Sequence, residues 1–544
     1  MLITYNKLQI AVEKNGHLTG LDLIRKHFPD KEGTILCMAC DTQLQSLNNS
    51  IPEDTSHCIF YDIHDTLGAE CLAVSTTALM LMAAEGLFPE TKISVEHSYG
   101  NGFYCKALDN SKLPGDYLNV LKEKMHEYVR DDHEFEERVI THEELNKIEF
   151  GRFKVLKNSP KKTFRIYDLC GFPHWFVTAL VPSAGYIKLF RITAYGEGFV
   201  LEFPKQSSPD RIPDFLSHPN LFKVIRESET RGEMLNINYI SELNEQALEG
   251  KQSRTIHLYE ALHEKKIAEI ADVIANRHDL RFIFIAGPSA SGKTTFMKRL
   301  SIQLRINGLK PKHISLDDYF VDREQTPQDK NGDYDFEHFD AIDHELLNRN
   351  LMDLMEGKGV HLPRFLFKEG KKEFSSEETF LLDDEIMILE GIHGLNPELA
   401  APIPDKVKFR IYISALTQLN FNLYNRVSTS DTRLLRRMYR DSQFRGHSPE
   451  ETLLRWPSVR RGEAKWIFPY QEHADVYFNS ALEYEWSVFR GVLIKTLSEI
   501  PANSPVKVEA HRLINLMELF LPFSTDIIPS TSLIQEFLGG SSFD

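Results

Sequence analysis

The chain has 544 residues, of which 42% are hydrophobic and 26% charged, and its formal net charge is −16. This length exceeds what one hydrophobic core supports, so it predicts several domains, and the balanced composition excludes disorder on a large scale. An acidic chain repels polyanions, which opposes non-specific nucleic-acid binding.

The sequence was next searched for features of a secretory leader or of a membrane-spanning segment. The first twenty residues mix polar and apolar side chains, and no run approaches eighteen consecutive apolar residues. We therefore expect neither a secretory leader nor a membrane partner. The six cysteines, all between Cys37 and Cys170, are too few for a disulfide framework, so we expect a cytoplasmic protein.

The first two hundred residues predict two small α+β domains, at 1–66 and 67–206. A helix is expected from Cys71 to Phe88, and the charged stretch Lys122–Lys147 indicates a solvated helix. The strand-like segments of the second domain are Ile93–Glu96, Gly102–Lys106, Tyr186–Thr193 and Gly198–Phe203.

A polar, proline-marked break at Ser207–Pro213 indicates a boundary, and residues 207–275 are predicted to be a linker with a helical connector, Ile240–Ala275. In residues 276–482 apolar runs alternate with helical stretches, which predicts an α/β fold with five mostly parallel strands. The five runs are Phe282–Ala286, His313–Leu316, Glu385–Leu389, Val407–Ile413 and Ala474–Phe478. Residues 483–544 are predicted to be a helical extension.

The segment Gly287–Thr295 fits the phosphate-binding pattern G-x-x-x-x-G-K-[ST], between a predicted strand and a predicted helix. Glycines let successive N–H groups face phosphate oxygens, and the helix N-terminus adds partial positive charge. Lys293 is expected to reach the β- and γ-phosphates, and Thr294 to ligate Mg²⁺. The predicted ATP-binding residues are Gly287, Ser289, Ala290, Ser291, Gly292, Lys293, Thr294 and Thr295.

Two acidic residues follow apolar runs of the predicted sheet. Glu390 ends the third run and is a Walker-B-type candidate that holds Mg²⁺ directly or through water. Asp317 follows the second run, at the edge where open α/β sheets bind ligands, and is a candidate base for an attacking hydroxyl. Each acid alone is equally compatible with a solvated loop, but beside a P-loop they indicate phosphoryl transfer.

Between residues 426 and 465 arginine outnumbers lysine nine to one. Guanidinium groups suit bidentate phosphate contacts, so we interpret part of this stretch as a lid over ATP; the alternative is a solvated charged face. Arg437 and Arg440 join Lys293 and Asp317 as the predicted catalytic residues. The arginines are Arg426, Arg433, Arg436, Arg437, Arg440, Arg445, Arg455, Arg460 and Arg461.

These motifs resemble the uridine kinase and phosphoribulokinase family of P-loop kinases over about Arg281–Ser480. Besides the P-loop, the resemblance rests on Ile314–Tyr319, Tyr334–Asp343, Pro363–Phe365, Glu390–Ile392, Asp431–Arg437 and Tyr470–Val476. It implies a kinase that uses ATP and Mg²⁺ to phosphorylate the 5′-hydroxyl of a nucleoside such as uridine or cytidine.

The resemblance also assigns roles to single residues. Asp317 becomes the general base, Glu390 the magnesium carboxylate and Asp340 the acid that holds the ribose hydroxyls. The rest of the predicted substrate-binding set is Tyr319, Phe365 and Arg433.

One departure from the family concerns the base. Uridine kinases carry a histidine shortly after a Pro-x-Tyr segment, and it reads the pyrimidine edge. Aligned on Pro363, the tyrosine becomes Phe365 and the histidine falls at Gly370. The nucleoside base therefore stays open, as does another small alcohol such as a sugar phosphate or a pantothenate-like compound.

The N-terminal half resembles the leading domains of threonyl-tRNA synthetases. Residues 1–66 resemble a divergent TGS domain, and residues 67–206 resemble the editing domain through Glu96–Tyr104 and Asp168–His174. This front end keeps open a third reading, a nucleotide-switched RNA-binding regulator, with tRNA as a partner. A homo-oligomer is also left open.

Cys170 and His174 keep half of the editing-site pattern, whereas Val74–Ala78 lacks both helix histidines. Two ligands do not make an ordinary zinc site. The resemblance therefore implies a domain that has lost hydrolysis and serves binding or regulation; the alternative is that both residues are packed in the core.

Overall fold

The computed structural model describes residues 1–13, 16–108, 113, 115–148, 153–328, 332 and 334–543. The N-terminal segment forms a mixed sheet around one helix, in the order β2-β1-β5-β3-β4. Its elements are β1 (Leu2–Tyr5), β2 (Leu8–Ala11), α1 (Gly20–His27), β3 (Cys37–Cys40), β4 (Gln43–Gln45) and β5 (His57–Tyr61). Thr19 caps α1 with a reciprocal capping box, which fixes where the helix begins.

The next region is built on a long helix and two antiparallel sheets, ordered β11-β12-β7-β6 and β10-β9-β8. Its helices are α2 (Thr66–Leu87), α3 (Tyr117–Arg130) and α4 (His142–Leu145). Its strands are β6 (Ile93–Tyr99), β7 (Gly102–Ala107), β8 (Glu136–Thr141), β9 (Thr163–Leu169), β10 (Phe172–His174), β11 (Arg191–Tyr195) and β12 (Gly198–Glu202).

Two predictions for this region are wrong in detail. The charged stretch Lys122–Lys147 is not one helix, because α3 ends at Arg130 and β8 follows. Val139 is 60% exposed while Ile140 is buried, so β8 has one solvated face and its charges are no obstacle to a strand. The segment Tyr186–Thr193 becomes a strand only from Arg191 onward.

The helix α2 is long and apolar enough to cross a membrane by length and composition, and among the described residues it is the only such helix. However, 83% of its most apolar window is buried inside the protein. Its side chains pack against residues of β6, β7 and β9 in one hydrophobic cluster. This is the pattern of a core helix.

The connector consists of three helices, α5 (Pro219–Leu235), α6 (Ile240–Leu248) and α7 (Gln252–Ala275). The predicted helix Ile240–Ala275 is therefore interrupted once, where Gly250 has φ +69°. The helix α7 buries Ile267, Ile270 and Ile274 in the hydrophobic cluster of the C-terminal half.

The C-terminal half contains an all-parallel five-stranded sheet, and its helices are amphipathic or buried. Its strands are β13 (Phe282–Ala286), β14 (Lys310–Ser315), β15 (Val360–Leu366), β16 (Lys371–Thr379), β17 (Glu385–Glu390), β18 (Lys408–Ser414) and β19 (Val476–Asn479). Its helices are α8 (Lys293–Ile306), α9 (His344–Met355), α10 (Thr429–Phe444), α11 (Pro449–Trp466), α12 (Glu485–Ser498), α13 (Lys507–Met517) and α14 (Gln535–Leu538).

The sheet order is β14-β17-β13-β18-β19, and β15 and β16 form a separate antiparallel hairpin. Each of the five predicted apolar runs overlaps one strand of this sheet, so the predicted α/β fold class is confirmed. Mixed and antiparallel sheets precede it in the chain. Because the strands are parallel, their carboxyl ends share one edge, and the loops after β13, β14 and β17 meet there.

Candidate active site

The P-loop runs from the end of β13 into α8. An added Cβ at Gly287 would lie 2.0 Å from the carbonyl oxygen of Ile413, so a side chain does not fit there. Gly292 has φ +87° and precedes the first residue of α8, a conformation that favours glycine. The N–H groups of the first helical turn lie at the loop, where a helix N-terminus favours an anion. The N–H group of Thr295 is already bonded to a carboxylate, that of Glu536.

The eight predicted ATP-binding residues all lie in this loop and first turn. The ammonium group of Lys293 folds back and donates to the carbonyl oxygens of Gly287 at 3.1 Å and Pro288 at 3.4 Å. The buried hydroxyl of Ser291 has no hydrogen-bond partner among the described residues. The N–H groups of the helix N-terminus, the ammonium group of Lys293 and the unpaired hydroxyl of Ser291 fit a ligand with several phosphate oxygens.

Asp317 and Glu390 flank Lys293 at the carboxyl edge of the sheet. Asp317 lies in a short 3₁₀ turn after β14, and its side chain is exposed in the cleft that forms at this edge of an open α/β sheet. Desolvation by nearby protein atoms raises the pKa of the Asp317 carboxyl, against the opposing charge of Lys293. Burial raises the pKa of Glu390 to about 7, while Lys293 and a hydrogen bond with Thr294 oppose the rise.

Glu337 is a third acid of this cluster, and the sequence analysis did not select it. Burial raises the pKa of Glu337 to about 7, Glu463 adds repulsion, and the charges of Arg437 and Lys293 act in the opposite direction. The carboxyl group of Glu337 therefore faces the same cations as the P-loop. The sequence feature that could have identified Glu337 is its position within the motif Tyr334–Asp343.

Asp340, from the same motif, is placed differently. Its carboxylate is 62% exposed and pairs with His344 at 3.4 Å and His338 at 3.7 Å. An exposed carboxylate of this kind remains accessible to a ligand, so the role of Asp340 in holding ribose hydroxyls stays a prediction.

Three arginines of α10 face the P-loop. Arg433 donates to the carbonyl oxygen of Ser289 at 3.0 Å, and Arg436 to that of Ala290 at 3.4 Å. Arg437 donates to the Ser289 hydroxyl at 2.9 Å. Positions i, i+3 and i+4 lie on one face of a helix, so α10 presents a cationic row to the loop.

Arg433 is part of a buried brace rather than the acceptor site. It is 1% exposed and forms a bidentate ion pair with Glu463, which also accepts the N–H of Ser289 at 3.1 Å. Burial opposes ionisation of Glu463, but the charge and hydrogen bonds of Arg433, followed by Arg460, outweigh it and lower the pKa of this carboxyl. The substrate contact predicted for Arg433 is therefore corrected, because its donors are committed to the P-loop and Glu463.

The predicted catalytic arginines lie one turn further along. Arg437 pairs with Asp441 at 3.3 Å, and Arg440 donates twice to the same carboxylate, at 2.9 and 3.0 Å. Arg445, one of the nine arginines of the predicted lid stretch, is exposed, and its charge opposes the rise in the pKa of Asp317. Arg437 and Arg445 are thus the arginines whose charges reach the acids of the cluster.

Tyr319 is a core residue. It is 1% exposed, and its hydroxyl accepts a hydrogen bond from Asn350 at 3.0 Å. Burial raises the pKa of this phenol to about 12. The expectation that Tyr319 contacts substrate is therefore corrected.

An aromatic cluster lies beside Asp317 instead. The carboxylate of Asp318 accepts the N–H of Phe365 at 3.2 Å, which ties the β15–β16 hairpin to the Asp317 turn. Phe365 is buried and packs edge-to-face against Phe320 and Phe367. Phe336 and Phe367 also contact the ring of Phe320. Their side chains are 41% and 58% exposed, respectively. Phe320, Phe336 and Phe367 were not predicted as site residues, because phenylalanines in apolar stretches are equally typical of a hydrophobic core.

The position that the resemblance assigns to a base-reading histidine has no room for one. Gly370 has φ +72°, and an added Cβ would lie 2.8 Å from the side chain of Arg323. Base recognition by that route is therefore sterically closed in this chain.

The metal site is only partly supplied by protein. Within the described ranges, no group of three or more His, Cys, Asp or Glu side chains is arranged to hold a metal ion. Mg²⁺ at a P-loop keeps several waters and binds one or two protein oxygens besides the phosphates. The hydroxyl of Thr294 and the carboxylate of Glu390 lie together and fit that partial donor set.

Cys170 and His174 lie at the β9–β10 hairpin. Cys170 is exposed in the turn with φ +54°, whereas His174 is fully buried and bonds the carbonyl oxygen of Phe172 at 2.9 Å. An imidazole packed in this way supports the core alternative for His174.

The C-terminal segment packs against the P-loop. Leu533 is fully buried, and an added Cβ at Gly292 would lie 2.4 Å from its side chain. Glu536 accepts the backbone N–H of Thr295 at 3.0 Å. The segment therefore forms one wall of the phosphate site, which the sequence analysis did not anticipate.

Comparisons with known proteins agree with this geometry. A sequence model described as the Phosphoribulokinase / Uridine kinase family matches residues 282–485. Uridine-cytidine kinase B of Dictyostelium discoideum is 30% identical over 196 residues, which is 36% of this chain and 72% of that protein. A uridine kinase of Staphylococcus epidermidis is 29% identical over 196 residues, covering 36% of this chain and 84% of its own.

A solved structure described as a possible uridine kinase from Bacillus stearothermophilus covers 37% of this chain and 88% of its own, with 20% identity and a TM-score of 0.25. That score is too low to add to the argument. The family match and the curated relatives suffice: through residues 282–485, the chain belongs to the phosphoribulokinase/uridine kinase family.

Proposed function

We propose that the chain transfers the γ-phosphoryl group of ATP to the 5′-hydroxyl of a nucleoside. The observation that carries the proposal is the position of Asp317, which opens onto the cleft beside Lys293 of the P-loop. A protein that only senses ATP needs no acid on the acceptor side of the phosphates.

The chain's own residues account for each part of the transfer. The first turn of α8 and Lys293 hold the phosphates, and Asp317 takes the proton of the acceptor hydroxyl. The acceptor oxygen then forms its bond to the γ-phosphorus as the bond to the β-phosphate oxygen breaks. Arg437 and Arg445 offset the negative charge beside the reacting group. Thr294 and Glu390 would hold Mg²⁺, which neutralises phosphate charge when bound.

A nucleoside acceptor is supported by two features of the cleft. Phe336 and Phe367 expose aromatic faces on which a planar base can stack. Glu337 offers a carboxylate that can accept hydrogen bonds from ribose hydroxyls, next to Arg437 and Lys293. The curated relatives named uridine kinase and uridine-cytidine kinase support the same substrate class. Because Gly370 excludes the base-reading histidine of uridine kinases, similarity to those relatives supports the identity of the base less than it supports a nucleoside acceptor.

We also propose that residues 1–66 and 67–206 are related to the leading domains of threonyl-tRNA synthetases and now act in binding or regulation. Two features support this. The motif Glu96–Tyr104 spans the β6–β7 hairpin, and Asp168–His174 spans the β9–β10 hairpin. Filter binding of tRNA to the full chain across a salt series tests it, and the absence of salt-sensitive binding would argue against a tRNA partner.

The decisive experiment for the kinase function is ADP release by the full chain with ATP and Mg²⁺, against a panel of nucleosides and other small alcohols. Asp317→Asn is the control, expected to bind ATP but to lose about 10²-fold in turnover. Nucleoside-stimulated turnover that this variant loses supports the proposal. Stimulation only by another alcohol would reassign the acceptor, and ATP binding without any acceptor-dependent turnover would favour the regulator.

A further inference from the structure

A partly open cavity of about 200 Å³ lies between the N-terminal half and the kinase half. It is bordered by β6, β7, α5, α7 and the segments that follow β18 and β19. The volume far exceeds the roughly 10–15 Å³ that one water needs, and it falls below that of a typical drug-sized site. It therefore suits a small molecule, and the P-loop does not line it.

Three buried polar atoms at this cavity have no hydrogen-bond partner among the described residues. They are the hydroxyl of Tyr259, Nδ1 of His263 and Oε1 of Glu229. All three residues are more than nine-tenths buried, and all three line the cavity. Buried polar groups are nearly always paired, so the contents of the cavity must supply the missing partners.

The unpaired atoms require hydrogen-bond donors. His263 Nε2 lies 3.2 Å from the carbonyl oxygen of Ala481 and so carries the ring hydrogen, which leaves Nδ1 as an acceptor. Burial lowers the pKa of His263 to about 3, which keeps this ring neutral. Oε1 of Glu229 accepts only, and its nearest imidazole nitrogen, on His97, is 3.7 Å away. The hydroxyl of Tyr259 can serve either role.

The charge of the lining favours a cation. Lys106 lies 3.5 Å from Glu96 and 3.4 Å from Glu229, so its charge is already shared between two carboxylates. Arg226 also pairs with the Oε2 atom of Glu229 at 3.1 Å, which leaves Oε1 as the unpaired oxygen of this carboxylate. Glu483 accepts the N–H groups of Gln418 and Leu419 and adds a further carboxyl to the wall. The charged residues of the lining are Glu96, Lys106, Glu229, Arg231, Glu233 and Glu483, four acids to two bases.

We propose that this cavity binds a small ammonium-bearing molecule, whose N–H donors meet Tyr259, His263 and Glu229. A bare metal ion does not fit the same groups, because no three His, Cys, Asp or Glu side chains of the described chain are arranged to coordinate one. The site does not depend on the acceptor of the kinase reaction.

The cavity also borders the brace of the P-loop. Ala481 lines it and follows Ser480, whose carbonyl oxygen accepts Arg436 at 2.7 Å. The same guanidinium donates to Ala290 of the P-loop at 3.4 Å. A ligand in the cavity therefore contacts the segment that holds this arginine in place.

The test is isothermal titration of the full chain with 1,4-diaminobutane, against 1,4-butanediol of equal length, at one pH and ionic strength. We expect the diamine to bind at least about tenfold more tightly than the diol, because a charge-assisted hydrogen bond is worth about twice a neutral one. Equal affinities, or no binding of either probe, would overturn the proposal.

Two cavity variants and one control complete the test. Tyr259→Phe removes only an unpaired hydroxyl and Glu229→Gln removes one charge; each is expected to weaken diamine binding at least threefold. Glu90→Gln, at an exposed carboxylate outside the cavity, is expected to leave it unchanged. Unchanged affinity in both cavity variants, or a crystal structure of the diamine-soaked protein with only water in the cavity, would refute the assignment.

Discussion

The carboxylate of Glu536 accepts a hydrogen bond from the backbone N–H of Thr295 at 3.0 Å, across 241 residues of sequence. Thr295 belongs to the first turn of α8, the helix N-terminus that favours an anion at the P-loop. An acidic side chain thus engages an N–H group that a nucleotide phosphate can use. Its charge also contributes to the raised pKa of Glu390.

We expect Glu536→Gln to lower the KM for ATP about fivefold. The change removes one negative charge near the phosphates, worth roughly 1 kcal/mol at about 4 Å in a hydrated cleft. Steady-state kinetics at saturating acceptor measure the KM for ATP. The control is Glu499→Gln, which removes the charge of an exposed carboxylate outside the P-loop. A higher KM for ATP in Glu536→Gln would show instead that Glu536 supports the nucleotide.

We expect mutations of Glu337 and Asp340, the two acids compared within the motif Tyr334–Asp343, to differ in their effect on the KM for the acceptor. Glu337→Gln is expected to raise the acceptor KM about tenfold, because a hydrogen bond to a charged group is worth about 1.5–3 kcal/mol. Asp340→Asn is expected to change it less than about twofold, since that carboxylate pairs with His338 and His344 at the surface. Acceptor titrations at saturating ATP decide between them, and the opposite ranking would return the role to Asp340.

The pH profile follows from the raised pKa values of the site acids. Asp317 must be ionised to take a proton and Glu390 to bind a cation, and the pKa of Glu390 is about 7 with that of Asp317 also raised. We therefore expect kcat/KM to rise from pH 6 to pH 8 and to fall about tenfold per unit at lower pH. Circular dichroism across the range controls for unfolding. A flat profile would mean that these acids stay ionised throughout.

The buried ion pair of Arg433 and Glu463 beside the P-loop is expected to contribute to the free energy of unfolding. Arg433→Ala leaves Glu463 buried without its main cation and is expected to reduce the free energy of unfolding by about 3–5 kcal/mol. Urea denaturation measures this loss, with Arg455→Ala as the exposed control, expected to change less than about 0.5 kcal/mol. Equal stabilities of the two variants would contradict the brace.

Local features of the sequence were enough to predict the nucleotide-binding architecture. The apolar runs of the parallel sheet and the pattern Gly287–Thr295 depend on neighbours in the chain, so they can be read without a fold. For the same reason Asp317 and Glu390 could be selected, because Glu390 ends β17 and Asp317 lies two residues after β14.

Other parts depend on distant contacts and were not predictable in the same way. The proximity of Glu337 to the charges of Lys293 and Arg437 is one example, because spacing within the motif Tyr334–Asp343 does not reveal it. The burial of Arg433 comes from Glu463, thirty residues away on α11. The charges of β8 concealed a strand, because Ile140 is the one buried residue among its six.

The contact between Glu536 and Thr295 also has a consequence for synthesis. Ribosomes add about 5–20 residues per second, so the P-loop emerges roughly 10–50 s before the carboxylate that contacts it. Throughout that interval Gly292 lacks the cover of Leu533, and the first turn of α8 has free N–H groups. A nascent chain stalled before residue 533 therefore presents a more open nucleotide site than the finished protein does.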